Sequence, residues 1–276
     1  VIDLMGFGII IPLLTFYIKD WQAHPYRVVL LFSVYSICQF IGAPILGAIS
    51  DRIGRKPVLA FSQVGSAVGY ILLALATQFP QLESAGAVLA LVYLSRIIDG
   101  FTGGNISTAK AYSADVTSRK NRAKGMGLVG AAFGLGFIFG PAIGGILSKF
   151  GTHTPFFFVS GLALLNAITL YFVLPESHKP NKNAPKRQNR IGELVASLKD
   201  SRFGIVTLLY FLVIVAFSIM TTSFVQYTMF RFGYNAEQNG YLFAYVGVLA
   251  IMIQGGIFAR LCDKFVEIWL TVFGCV

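Results

Sequence analysis

Gly47-Ala-Ile-Ser-Asp51-Arg52-Ile-Gly54-Arg55-Lys56-Pro57 joins two apolar runs, Val28–Ile49 before it and Val58–Ala76 after it. Coiled as a helix, each run has the length that crosses a hydrocarbon layer of ~30 Å. Between them the chain reverses inside about seven residues that hold three positive charges and one carboxylate. Asp51 falls at a helix C-terminus, where the helix dipole disfavours an anion. Its carboxylate therefore needs cations or another helix's N-terminus beside it, and Arg52, Arg55 and Lys56 are the cations at hand. Gly54 suits the turn, and Pro57 suits the start of the next helix. Basic residues alone would say little, because any short cytoplasmic connection collects Arg and Lys. The spacing of Gly47, Asp51, Arg52, Gly54, Arg55 and Lys56 is the distinguishing feature.

Composition extends the reading from this loop to the whole chain. With 55% hydrophobic and 12% charged residues, and a mean hydropathy of +0.70, the sequence is not that of a water-soluble domain. Apolar spans are expected at Val1–Ile18, Val28–Ile49, Val58–Ala76, Ala85 into Asn105–Ala111, Ala123–Leu147, Phe156–Leu174, Phe203–Phe230 and Gln238–Phe258, with a ninth starting near Val266. Backbone groups inside a bilayer must be satisfied within the segment, so these spans read as helices and the fold class as all-α, polytopic membrane protein. The opening Val1-Ile2-Asp3 has no polar lead-in, so the first span reads as clipped. It also lacks the basic segment and cleavage site of a signal peptide.

The net charge of +10 does not make a nucleic-acid-binding stripe. Sixteen Lys and Arg fall in connections that follow even-numbered spans and four in those that follow odd-numbered ones. That asymmetry places the even connections and the N-terminus in the cytoplasm. Cys38, Cys262 and Cys275 are too scattered for a disulfide framework or a metal site. His24, His153 and His178 lie in loops or at helix ends, so neither metal nor cofactor is expected. There is no G-x-x-x-x-G-K-[ST] phosphate loop, HExxH or Ser-His-Asp arrangement, so the chain does not read as an enzyme.

Residues 175–202 are polar and basic and contain Pro175, Pro180 and Pro185. They read as a cytoplasmic linker, with Ile191–Leu198 as a short helix on the membrane surface. They divide the chain into an N-terminal bundle of six spans (1–174) and an incomplete second bundle (203–276). A degenerate echo of the opening stretch, Gly255-Gly-Ile-Phe-Ala-Arg260-Leu-Cys-Asp263-Lys264, follows the eighth span, with Arg260 where Asp51 would stand.

Four groups of residues could carry chemistry. Asp3 either lies within the membrane, where an ionisable side chain marks a pathway or proton site, or caps the first helix at the interface. Arg96 sits within the fourth span, where a charge costs ~2.5–3.5 kcal/mol and must face the protein interior. Asp99 is at i+3 and within pairing reach, so the two could form a coupling site or an ion pair that only fixes packing. Gly127, Gly136, Gly140, Pro141, Gly144 and Gly145 line the fifth span, where small residues permit close helix approach and proline permits a bend. Gln226 and Tyr227 in the seventh span could line a substrate cavity or bond to a neighbouring helix.

The pattern G-x-x-x-D-R-x-G-R-K resembles the loop between the second and third helices of major facilitator superfamily transporters. Asp3-Leu-Met-Gly6-Phe-Gly8-Ile-Ile-Ile-Pro12 is similar to the first-helix signature of the drug:proton antiporters, in particular the twelve-helix, tetracycline-efflux-like branch. Arg96-Ile-Ile-Asp99-Gly100 is similar to that family's fourth-helix motif, and the six glycine and proline positions fit its fifth-helix antiporter motif. Asn105-Ile-Ser-Thr-Ala, Tyr112-Ser-Ala-Asp115 and Leu174-Pro-Glu176-Ser add to the resemblance. It implies two six-helix bundles, here truncated to about eight and a half helices. It also implies a monomer in the cell membrane that exchanges protons for a small organic compound. On that reading Asp3, Arg96 and Asp99 handle proton and substrate, and the Asp51 loop is a cytoplasmic latch between bundles. The tetracycline exporters carry a carboxylate in the third helix, whereas Ser62-Gln-Val-Gly-Ser-Ala-Val-Gly69 has none, which puts tetracycline itself in doubt. A uniporter or symporter, or a membrane receptor that has lost transport, would share the latch loop.

Overall fold

The structure is a computed structural model that describes residues 2–20, 26–78, 85–118, 122–177 and 204–252. Its helices are α1 (Ile2–Asp20), α2 (Tyr26–Ile53), α3 (Arg55–Gln78), α4 (Ala85–Gly103), α5 (Ile106–Val116), α6 (Arg122–Leu147), α7 (Thr154–Val173), α8 (Gly204–Phe232) and α9 (Ala236–Met252). A 3-10 turn, Ser148–Phe150, follows α6. Among the described residues, six stretches are long and apolar enough to cross a membrane. The basic linker beyond Ser177, the Arg260 echo and the ninth span lie outside the described residues.

Two boundaries differ from the sequence reading. The seven-residue connection between the second and third spans shrinks to one residue, because α2 runs on to Ile53 and α3 starts at Arg55. Gly54 alone makes the corner, at φ +110°, a conformation that side chains rarely adopt. The fourth span is not one helix. It breaks at Gly104-Asn105 into α4 and α5, with Gly104 N–H closing a short turn onto the Phe101 carbonyl at 3.4 Å. The break lies where α4 meets α2: a side chain on Gly104 would collide with the backbone of Gly42 and Ala43. Glycine has little helix propensity to lose there.

Packing centres on α3, which lies against α4 and α7, while α2 covers α4. Ile9, Leu13, Tyr70, Leu73, Val92 and Phe156 are among the buried side chains of the main core cluster. On the other side α6 is held between α1 and α9. Gly136, Gly140 and Gly144, spaced one turn apart, face α1: a Cβ on them would meet Leu4 and Met5, Met5 and Gly8, and Ile9 respectively. Gly145 and Pro141 face α9, where Gly240 approaches the Pro141 carbonyl and Gly247 approaches Ile138. Small residues thus let the backbones meet on two faces of one helix, replacing hydrophobic attraction, which hydrocarbon does not supply. Gly127 falls within α6, but its surroundings lie outside the described residues. Helix α8 turns Ile205, Leu208, Tyr210, Phe211 and their neighbours outward. A continuous apolar surface of that kind suits lipid rather than water.

A Cβ on Gly140 would stand 2.6 Å from the Met5 carbonyl and 2.9 Å from Gly8 Cα, both backbone atoms that cannot rotate away. Gly140→Ala should therefore destabilise the full-length protein by ~1–3 kcal/mol. Gly130→Ala, on the same helix with nothing within 4 Å, should be neutral or slightly stabilising. Thermal unfolding of the two variants in detergent compares them directly.

Candidate transport site

Helix α4 carries its charges on one face and buries them. Arg96 and Asp99 are 1% and 3% exposed, with Arg96 Nη1 3.3 Å from Asp99 Oδ2. Arg96 Nε donates to the Ser95 hydroxyl at 3.3 Å, and the guanidinium lies over the Tyr35 ring of α2, 6.0 Å from its centroid. The remaining nitrogen, Nη2, is buried with no hydrogen-bond partner. Gly69 of α3 makes the space: a Cβ there would lie 2.9 Å from Asp99 Cβ.

Asp3 enters the same region from α1. Its Oδ2 accepts hydrogen bonds from Gln63 Nε2 of α3 at 2.6 Å and from Asn105 Nδ2 at 2.8 Å, while Oδ1 is buried without a partner. Tyr35 and Tyr70 are within electrostatic reach of Asp3, Arg96 and Asp99 alike. The three charged residues singled out from the sequence thus share one buried polar cluster with net charge −1 when all are ionised. Gln63 and Asn105, quoted in the sequence analysis only as parts of longer stretches, are the residues that bond to Asp3. The trace they left is a polar amide inside an otherwise apolar run.

Gln226 and Tyr227 do not join this cluster through any hydrogen bond or ring contact among the described residues. Gln226 is half-buried, and Tyr227 is exposed with its ring edge-on to Phe232. The polar link between α8 and α9 is instead Thr228 donating to Asn239 at 2.5 Å.

The corner between α2 and α3 forms a second polar centre. Arg55 Nη1 contacts Asp51 Oδ1 and the Ser50 hydroxyl, each at 2.6 Å, and Nε donates to Asp115 Oδ2 at 3.3 Å. Of the three cations expected to neutralise Asp51, Arg55 does so. Lys56 lies over the Tyr171 ring, and Arg52 is exposed. The start of α3 is capped from a distance: Glu176 accepts the Arg55 N–H at 2.8 Å and the Lys56 N–H at 3.1 Å. A carboxylate at a helix N-terminus satisfies orphan donors and complements the dipole. Glu176 also occupies the space that a side chain on Gly54 would need. Tyr112 completes the corner by donating to the Pro175 carbonyl at 3.1 Å. These contacts tie α2, α3, α5 and the chain after α7 together, all within residues 50–177.

At the far ends of α6 and α9, Lys149 Nζ pairs with Glu237 Oε1 at 2.7 Å, and the Tyr241 hydroxyl donates to the same oxygen at 2.8 Å. This is the polar contact between the two halves of the chain nearest the Gly145–Glu237 approach.

Comparison with known proteins decides what kind of molecule carries these centres. The family model described as Major Facilitator Superfamily matches residues 1–276. The chain belongs to the major facilitator superfamily. The chain is 34% identical over 277 residues to the class H tetracycline resistance protein of Pasteurella multocida, covering 97% of the chain and 66% of that protein. It is 32% identical over 285 residues to the class B tetracycline resistance protein of Escherichia coli, covering 100% and 67%. To multidrug resistance protein 2 of Bacillus subtilis (strain 168) it is 30% identical over 270 residues, covering 95% and 64%. The chain therefore spans about two thirds of the length of these relatives. Among solved structures, the human organic anion transporter MFSD10 (TETRAN) superposes with a TM-score of 0.70 at 26% identity, over 92% of this chain and 68% of that one. The chain is a transporter-family, multi-pass membrane protein, in agreement with its fold and its apolar helices.

Removing Asp99 would leave the Arg96 guanidinium buried without its counter-charge. Asp99→Asn should cost ~3–5 kcal/mol of stability, and the paired apolar replacement Arg96→Met with Asp99→Leu should cost less than the single change. Unfolding of both variants in mixed micelles would show the ordering.

Proposed function

We propose that the full-length protein exports a small organic compound in exchange for protons by alternating access between its two halves. The observation that carries this reading is the half-buried carboxylate of Asp3, with Oδ1 buried and unpartnered, beside the Arg96–Asp99 pair. An ionisable side chain inside a membrane span marks a proton or substrate pathway, and an oxygen without a partner is the one open to a proton. Arg96 and Asp99 set the local field, and substrate competes with the proton for the same cluster. Rocking of the halves about this site requires surfaces that seal without interlocking, and the glycine faces of α6 against α1 and α9 suit that task. The Lys149–Glu237 pair then serves as a clasp that opens when the outer side opens. The Asp51–Arg55–Asp115 network, whose contacts all fall within residues 50–177, braces the inner end of the first half and does not latch it to the second, and the even-numbered connections lie in the cytoplasm. The pathway lies within one chain, so the working unit is a monomer in the cell membrane.

Kinship with tetracycline and multidrug resistance proteins supports export of an organic compound. The third span, which has no carboxylate, argues against tetracycline itself. Organic anions belong in the substrate panel because Arg96 Nη2 is a buried donor without a partner, and because the similar solved structure is by its title an organic anion transporter.

The test uses inside-out vesicles that contain the full-length protein and are energised to an acid interior. Tetracyclines, lipophilic drugs and organic anions are added in turn, and a pH-sensitive dye follows the lumen. Substrate-triggered alkalinisation that is abolished by Asp3→Asn is expected. Uptake of a compound without proton movement, unchanged in Asp3→Asn, would mean a uniporter instead.

A further inference from the structure

Asn105 occupies the position just before α5, where an asparagine side chain normally accepts a hydrogen bond from the second or third N–H of the helix. It makes no such bond. Its amide turns away and donates to Asp3 Oδ2 at 2.8 Å, and Gln63, 5% exposed in the middle of α3, donates to the same oxygen at 2.6 Å. Oδ1 is left buried and bare. Two donors on one oxygen and none on the other is an asymmetric arrangement, and carboxyl chemistry gives it a meaning. An ionised carboxylate accepts at both oxygens, whereas a protonated one accepts at its carbonyl oxygen and carries hydrogen on the other. With two amide N–H groups aimed at Oδ2, hydrogen on that oxygen would require both amides to turn and present their oxygens, whereas hydrogen on Oδ1 leaves both bonds in place.

We propose that Gln63 and Asn105 are positioning residues for Asp3: they hold Oδ2 as the permanent acceptor and leave Oδ1 as the oxygen that takes and gives up the proton. The inference rests on the reading of Asp3 as the proton carrier. The other polar groups within reach are Arg96 and Asp99 from α4, Tyr35 from α2 and Tyr70 from α3. Arg96 is paired with Asp99 at 3.3 Å, and α6 presents glycine backbone at this level, Gly136 against Leu4 and Met5. The hydrogen bonds that orient Asp3 therefore come from neutral amides. An amide does not titrate, so it keeps its contact in both protonation states, whereas a lysine or arginine in its place would hold Asp3 ionised. The bond from Asn105 also ties the carboxylate to the break between α4 and α5, at the cost of the usual helix cap.

The test is pH-difference infrared spectroscopy of the full-length protein in lipid. The carboxyl C=O band of protonated Asp3 is identified by its loss in Asp3→Asn. Gln63→Leu and Asn105→Leu each remove a hydrogen bond from that carbonyl and should move the band to higher wavenumber. Proton-driven export should fall by about tenfold in each, the scale of one hydrogen bond to a charged group. Gln63→Asn and Asn105→Ser retain a neutral donor and should keep the band near its original place, which separates positioning from folding. A band that stays put in both leucine variants would overturn the proposal, as would one that moves equally in the donor-retaining pair. Absence of any Asp3-dependent band would instead remove Asp3 as the proton carrier, and this inference with it.

Discussion

A guanidinium cannot stand alone in hydrocarbon, and Arg96 is 1% exposed within the fourth apolar span. Its charge has to be answered inside the protein, by Asp99 one turn on and by the face of the Tyr35 ring. That requirement governs much of the surrounding architecture. Asp99 fits because residue 69 has no side chain, and α4 lies close to α2 because Gly100, Gly103 and Gly104 have none. Asp3 joins the cluster on a helix held by the glycine face of α6. The glycines do not carry the chemistry. They set the backbone distances at which a few polar groups can satisfy one another away from water and lipid.

The two polar centres are joined by one short element. Helix α5 begins beside Asn105, which is bonded to Asp3, and carries Asp115 near its other end, which is bonded to Arg55. One short helix thus carries a contact of the Asp3 cluster at one end and a contact of the α2–α3 corner at the other. The corner is itself closely determined: Gly54 has a backbone conformation that suits glycine alone, and Glu176 fills the space beside it while capping α3. Lys149 pairs with Glu237 just beyond the C-terminal end of α6, at the start of α9.

How much of this was legible beforehand depended on how costly each group is in an apolar setting. Charges stand out in an apolar run, so Asp3, Arg96 and Asp99 are visible in the sequence as candidates, and the structure places them in one region. Neutral amides cost less to bury, so nothing in the sequence marks Gln63 and Asn105 as the residues that bond to Asp3. The glycines of α6 were recognised from their spacing, but which of them faces α1 and which α9 is a matter of tertiary packing. The connection around Gly54 read as a loop because polar residues ordinarily end a membrane span. In the fold they remain helical, since Arg55 finds three polar partners and the N–H groups of α3 find Glu176. No local pattern near residue 55 points to a carboxylate more than a hundred positions away. The break at Gly104 was hidden because glycine-rich membrane helices commonly run straight through.

If proton and substrate compete for the cluster around Asp3, as proposed, proton release on substrate binding should be visible with the purified full-length protein in weakly buffered detergent solution. A transported compound is then expected to displace about one proton per binding event, with release lost in Asp3→Asn and substrate affinity no longer dependent on pH. Substrate binding at full affinity without proton release, identical in the parent protein and in Asp3→Asn, would contradict the proposal.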